Sequence, residues 1–404
     1  MALTFSKKAL EVKPSSTLAI TAKAKELKEK GIDIVGFVAG EPDFDTPKNV
    51  CDAAIKAIES GFTKYTVASG IIELKEAVSK KFASFNNLNY GTDQIVISNG
   101  GKHSLTNIFN AIINPLDEVI IPAPFWLSYP EMVKLVGGVP VIIYGAKENG
   151  YKVTSEQIKA ACTDKTKAVI INTPSNPTGA IYSKEELEAI AKVVVEQNIY
   201  AISDEMYENL IYDGQKHVSI ATLSEEIYNR TITCSGLSKG YAMTGWRIGY
   251  TGSSKEIAKM MSSIQSHSTS NPNSVAQMAA VEALNGPKDE TDKMMVEFEK
   301  RRNYMVERVS KMPYFSFCKP EGAFYVFIDM SQLIGKSYRN EKIVDAAHLA
   351  DLLLKDYFVS LIPCADFGLY DHIRLSYAIS MEQIKKGLDR IDEFLAEVQG
   401  VESV

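Results

Sequence analysis

Cysteine and histidine are sparse in this 404-residue chain, five of each, and neither falls into a pattern that builds a scaffold. Cys51, Cys162, Cys234, Cys318 and Cys364 contain no C-x-x-C pair, which excludes a disulfide framework or a cysteine-based metal site. His103, His217, His267, His348 and His372 show no ligand spacing, so no metal is expected. No run approaches the ~18 uninterrupted apolar residues of a membrane span. An excess of basic charge is also missing: 44 Lys and Arg stand against 50 Asp and Glu, a net −6, which leaves no basic face for nucleic acid or an anionic membrane. There is no internal repeat or low-complexity tract. Residues 1–13 lack the apolar core and small-residue cleavage pattern of a secretory signal, so a cytoplasmic protein is expected.

What the chain has is enough apolar residue, 45%, for two cores. Short β-rich runs at 95–98, 119–122, 139–144, 168–172, 200–203, 232–234 and 248–251 alternate with amphipathic segments. That alternation predicts an α/β fold, a mainly parallel sheet covered by helices on both faces. Ser183-Lys-Glu-Glu186 and Ser380-Met-Glu-Gln383 fit the capping box, and Thr46-Pro47 reads as a helix cap followed by a first-turn proline. Past Asn285-Gly286-Pro287 the pattern changes to a long charged helix reaching about Met312, then strands at 324–328 and 373–377 around a helix near 341–356. The division is therefore an N-terminal segment, 1–46, packing with a smaller α+β domain at 297–404, and a large domain at 47–296.

The chemistry is concentrated at strand ends. Ser238-Lys239 follows a short apolar strand, and Arg247 lies eight residues on. A lysine amine condenses with an aldehyde when its pKa is lowered, and arginine offers a fixed fork of donors to a phosphate; pyridoxal 5'-phosphate carries both groups. By itself the pair reads equally as a surface lysine beside an ion-paired arginine. Gly100-Gly101-Lys102 opens a helix after a strand, a place that attracts anions, and Asn176-Pro177-Thr178-Gly179 and Asp204-Glu205-Met206-Tyr207 follow two further strands, where ligands of open α/β sheets collect. Asp204 and Glu205 invite a two-carboxylate hydrolase reading, but adjacent residues on a strand face opposite ways.

These motifs, with Ala39-Gly40-Glu41-Pro42-Asp43-Phe44, Lys64-Tyr65, Phe125-Trp126 and Arg374-Leu375-Ser376-Tyr377, occur in an order that resembles the class I aminotransferases, in particular the mainly prokaryotic branch of aspartate aminotransferases. The resemblance runs from about Pro14 to the C-terminus. It implies the fold of pyridoxal phosphate-dependent transferases and pyridoxal 5'-phosphate as cofactor. Lys239 would then condense with the aldehyde and shuttle the proton at the reacting carbon. Asp204 would pair with the ring nitrogen, Tyr207 and Asn176 would bind the ring's phenolic oxygen, and Trp126 would stack on the ring. The phosphate would rest on the N–H groups of Gly101 and Lys102, on Ser238 and Arg247, and on Tyr65 of a neighbouring subunit, which implies a homodimer with shared sites. The family often has a serine three residues before the lysine, where this chain has Gly236; Ser235 is expected to take that contact. Arg374, with Asn176 and the backbone at Gly40, would hold the substrate α-carboxylate.

Lys102 adds a cation where related enzymes often have an uncharged residue, which leans the expectation toward dicarboxylic substrates: aspartate or glutamate with 2-oxoglutarate or oxaloacetate. Prephenate or aromatic substrates are the nearest alternative. A lyase acting at Cβ or Cγ shares the same motifs, and a regulatory ligand sensor is disfavoured because every catalytic position is occupied and no DNA-binding segment is expected before Pro14.

Overall fold

Seven of the predicted apolar runs form one sheet. The computed structural model of the chain describes residues 4–399, so residues 1–3 and 400–404, the outer ends of the first and last predicted segments, lie outside the described residues. The strands are β1 (Ile95–Asn99), β2 (Glu118–Ala123), β3 (Val139–Tyr144), β4 (Thr166–Asn172), β5 (Tyr200–Asp204), β6 (Thr231–Gly236) and β7 (Ile248–Gly252). Their order is β1-β7-β6-β5-β4-β2-β3, parallel except for β7, which runs antiparallel to both β1 and β6.

The two-residue period of a strand divides its side chains between two cores. Ile121, Ile170 and Ile202 join one cluster, and Ile120, Val169, Ile171 and Ala201 join the cluster on the opposite face. Because both faces are covered, the strands are continuously apolar, as parallel strands are.

A separate apolar cluster forms around a four-stranded antiparallel sheet of β8 (Ser316–Phe317), β9 (Tyr325–Asp329), β10 (Ile362–Pro363) and β11 (His372–Ser376), in the order β10-β11-β9-β8. Val35 and Phe37 from the N-terminal segment belong to this same cluster, and Val35–Gly36 pairs in parallel with Val359–Ser360. The helix Asp289–Val309 inserts Met294, Phe298, Met305 and Val309 into it from one face. The sequence division at 296/297 thus falls inside a continuous helix.

Local signals held unevenly. Ser183 and Glu186 complete a reciprocal capping box, at 3.2 and 2.7 Å. At the last helix Ser380 accepts from the Gln383 N–H at 3.3 Å. Thr46 departs from its predicted role. Pro47 takes the cap position of the helix Lys48–Glu59, while the Thr46 hydroxyl donates to the Ala242 carbonyl at 2.7 Å and accepts from Trp246 Nε1 at 2.8 Å. Its partners lie in the loop before Arg247, so it ties that loop down instead of starting a helix.

Candidate active site

The carboxyl ends of β4, β5 and β6 and the start of the helix Gly101–Ile112 open onto a cavity of about 500 Å³, within the usual size range for small-molecule sites. Every residue that the resemblance assigns to cofactor or substrate lines it except Ser235 and Tyr65.

Asp204 ends β5 and is buried. Its carboxylate accepts from the Tyr129 hydroxyl at 2.6 Å and from the Met206 N–H at 3.2 Å. Burial, only partly offset by these donors, raises its pKa to about 6. Tyr207, three residues on, shares a 3.0 Å hydrogen bond with the Tyr325 hydroxyl; burial, then the neighbouring phenol, holds its own ionisation well above the ordinary tyrosine value. Glu205 turns away from the cavity, as strand alternation requires, and a carboxylate dyad does not form.

Lys239 follows β6 and donates to the Gly40 carbonyl. Burial pushes its pKa down to about 8; Glu41 opposes the shift, while the positive charges of Arg247, Arg374 and Lys102 reinforce it. An amine in that range has a far larger neutral, nucleophilic fraction near physiological pH than a solvated lysine. The Arg247 guanidinium donates to the Thr244 carbonyl at 2.9 Å, and the Thr244 hydroxyl donates to Glu41 at 2.7 Å.

The helix Gly101–Ile112 begins without a side-chain cap, so its N–H dipoles face the cavity beside Arg247. Gly100 has φ 85°, and a Cβ there would stand 2.4 Å from Arg247 Nη2. Only glycine allows the guanidinium and the helix start to close into one cradle. Ser238 is buried at the cavity wall. Lys102 Nζ lies 5.0 Å over the Trp126 ring, and burial, then Arg247, lowers its pKa.

Arg374, on β11, is buried, donates from Nη1 to Asn176 Oδ1 at 2.9 Å, and lies 4.1 Å over the Tyr325 ring. Its Nε is buried and has no hydrogen-bond partner among the described residues. The cavity therefore offers a basic cradle for a phosphate, a buried carboxylate for a ring nitrogen, a depressed-pKa lysine for an aldehyde and a second arginine for a carboxylate. These residues fit pyridoxal 5'-phosphate.

One expectation differs from what is observed, and a second concerns a residue outside this cavity. Ser235 is fully buried and its hydroxyl donates to Glu208, on the side of β6 turned from the cavity, so it does not replace the missing serine at Gly236. The period of two along β6 requires this, since Ser235 and Gly236 face opposite ways. Tyr65 is 92% exposed and lies outside the cavity of its own chain. Sequence reasoning missed Ser15 and Thr17 at the start of the helix Ser16–Glu29, Tyr129, and Tyr325, all of which line the cavity. Tyr129 had a signal, its i+3 spacing from Trp126, which it meets edge-on at 5.4 Å. The others arrive from distant segments and carried none.

Comparison with known proteins agrees with this geometry. The family profile described as aminotransferase class I and II matches residues 32–391. An aspartate aminotransferase of Bacillus sp. (strain YM-2) is 50% identical over 382 residues, covering 95% of this chain and 96% of that protein. A probable aspartate/prephenate aminotransferase of Aquifex aeolicus is 46% identical, covering 96% and 97%. Among solved structures, the aspartate aminotransferase of Rhizobium meliloti superposes with a TM-score of 0.95 at 38% identity, covering 98% of this chain and all of that one. The Thermus thermophilus enzyme, solved with maleate, gives 0.92 at 40% identity, covering 97% and 100%. With the lysine, the buried aspartate and the two arginines around one cavity, the chain belongs to the class I and II aminotransferases and is an aminotransferase that uses pyridoxal 5'-phosphate.

Proposed function

We propose that this enzyme transfers the amino group between aspartate or glutamate and a 2-oxo acid such as 2-oxoglutarate or oxaloacetate. The observation that carries this reading is the presence of Lys102 and Arg374 in one cavity in addition to Arg247: one cation for the phosphate, and two for the two carboxylates of an acidic amino acid. The relatives named as aspartate aminotransferases and the related structure with maleate, a dicarboxylate, support it.

The cofactor supplies an aldehyde for the amino group and an electron-accepting ring when bound. The backbone N–H groups of Gly101 and Lys102, with Ser238 and Arg247, would hold its phosphate, Asp204 would keep a proton on the ring nitrogen, Trp126 would lie against the ring, and Tyr207 with Asn176 would donate to its phenolic oxygen. Arg374 fixes the α-carboxylate of the substrate. The Lys239 amine, its pKa lowered to about 8, would take the proton from the substrate's Cα and return it one position along. Residues 47–296 form the cofactor-binding unit, and 297–404, with the N-terminal segment packed on it, the unit that brings Arg374.

Prephenate is the second reading, since it too carries two carboxylates and a relative is named for it. The same proposal makes the enzyme a homodimer in which Tyr65 reaches the neighbouring subunit's phosphate; Ile55, Ile58, Val67 and Ile72, near it in sequence, are also exposed. Five free cysteines suit a reducing, cytoplasmic setting.

The test is a panel of half-reactions. Single amino acids are added to the holoenzyme, and the cofactor absorbance is followed. Aspartate and glutamate should react at least about 10-fold more efficiently than alanine or phenylalanine, the discrimination one charge-assisted contact provides. Equal rates for all four would overturn the dicarboxylate reading, and catalytic release of 2-oxo acid without an acceptor would indicate a lyase.

A further inference from the structure

The 204–208 segment has two sides. Asp204 and Tyr207 line the cavity, whereas Glu205 and Glu208, each one residue further along, are buried on the other side. The backbone turns between them, with the Glu208 N–H donating to the Glu205 carbonyl at 2.9 Å.

Both carboxylates are saturated by groups from separate segments. Glu205 accepts from Ser203 at 2.7 Å, from Ser219 at 2.6 Å, from Asn86 at 3.2 Å and from His217 Nε2 at 2.7 Å. Glu208 accepts from Asn86 at 2.7 Å, from the Ser235 hydroxyl and from the Lys81 ammonium. Lys81 also donates to Asn86 Oδ1 at 2.8 Å and stands 5.1 Å over the rings of Phe82 and Phe85. Burial works against a charged His217, but the Glu205 carboxylate outweighs it and raises the imidazole pKa.

We propose that Glu205 and Glu208 are positioning residues for transamination: paired with Lys81 and His217, they clamp the back of the 204–208 turn and so aim the Asp204 carboxylate and the Tyr207 phenol into the cavity. The inference rests on the aminotransferase chemistry and not on the aspartate reading. Burying two ion pairs brings little net stability compared with an apolar filling of the same shape. What such a network adds is direction, because each hydrogen bond tolerates little displacement. Glu205, Glu208 and His217 also form a metal-like donor set. A metal does not suit the place: His217 and Glu205 are bonded directly to each other, and Lys81 already supplies the positive charge.

The experiment compares Glu208→Gln, the double variant Lys81→Met/Glu208→Gln and the milder Ser235→Ala as cofactor-loaded enzymes. The readouts are kcat and KM for aspartate and the pH midpoint of the cofactor's absorbance. Misaiming should lower kcat about 10- to 100-fold in the first two variants, with KM changed by less than about 3-fold. The absorbance midpoint should move in both, since it senses Asp204 and Tyr207. Ser235→Ala should shift the same quantities in the same direction by less. A double variant that loads cofactor with wild-type kcat and midpoint would reduce the network to filling and overturn the proposal. If neither Glu208 variant folds, Ser235→Ala decides: unchanged kcat and midpoint overturn the clamp, and a lowered kcat with a moved midpoint supports it.

Discussion

Tyr129 donates its phenolic hydrogen to Asp204 Oδ2 over 2.6 Å. That bond and one backbone N–H do not offset the burial of the carboxylate, whose pKa stands at about 6 against 3.8 unperturbed. The direction fixes a stability effect. Below the unfolded pKa the group is protonated in both states and costs nothing. Between the two values only the unfolded chain ionises, and above about 6 the full cost, about 3 kcal/mol, is present. Asp204→Asn should therefore make the cofactor-free protein more resistant to urea at pH 8, with the gain vanishing near pH 4. The same variant, loaded with cofactor, should lose most of its transamination rate. A gain that does not change with pH would show that ionisation is not its cause.

Lys239 should titrate near 8 in the cofactor-free protein, because burial and three nearby cations lower its pKa while Glu41 only partly opposes them. Adding pyridoxal 5'-phosphate followed by borohydride and mapping the peptides by mass should place the adduct on Lys239. Its initial rate of formation should rise through a midpoint near 8. An adduct on Lys102, or a midpoint near that of a solvated lysine, would contradict the assignment.

The sheet was legible because parallel strands, apolar on both faces, leave uninterrupted β-branched runs, and the cavity was legible because its residues sit at the ends of those strands. The antiparallel placement of β7 left no mark, since pairing direction does not alter composition. Tyr325 and Thr17 escaped notice because tertiary folding alone brings them to the cavity. Ser235 was misplaced by reading proximity in sequence as proximity in space, where strand alternation sends it to Glu208. His217, with no ligand spacing in the sequence, emerged as the partner of Glu205, twelve positions earlier in the chain.

Tyr65 offers a test of subunit sharing. Its side chain is 92% exposed and outside its own cavity, which leaves it free to serve a neighbour's phosphate as proposed. Mixing chains carrying Lys239→Ala with chains carrying Tyr65→Ala should create heterodimers with one site intact in both respects. Activity should rise above that of either parent once exchange is complete. Exchange without recovery would confine Tyr65 to its own subunit.

Lys102 and Arg374 should fail differently. Arg374 is buried and bonded to Asn176, and the proposal gives it the α-carboxylate every amino acid carries. Lys102 stands over the face of Trp126, and the proposal has it meet a second carboxylate in the acidic substrates alone. A charge-assisted contact of this kind contributes about 1.5–3 kcal/mol, or about 10- to 150-fold in efficiency. Lys102→Ala should lose that much in kcat/KM for aspartate and glutamate and little for alanine and phenylalanine, whereas Arg374→Ala should impair all four. The Lys102 backbone N–H survives the substitution, so cofactor affinity should change only modestly, measured by equilibrium dialysis. An equal loss on charged and uncharged substrates, together with cofactor leakage, would assign Lys102 to the phosphate instead.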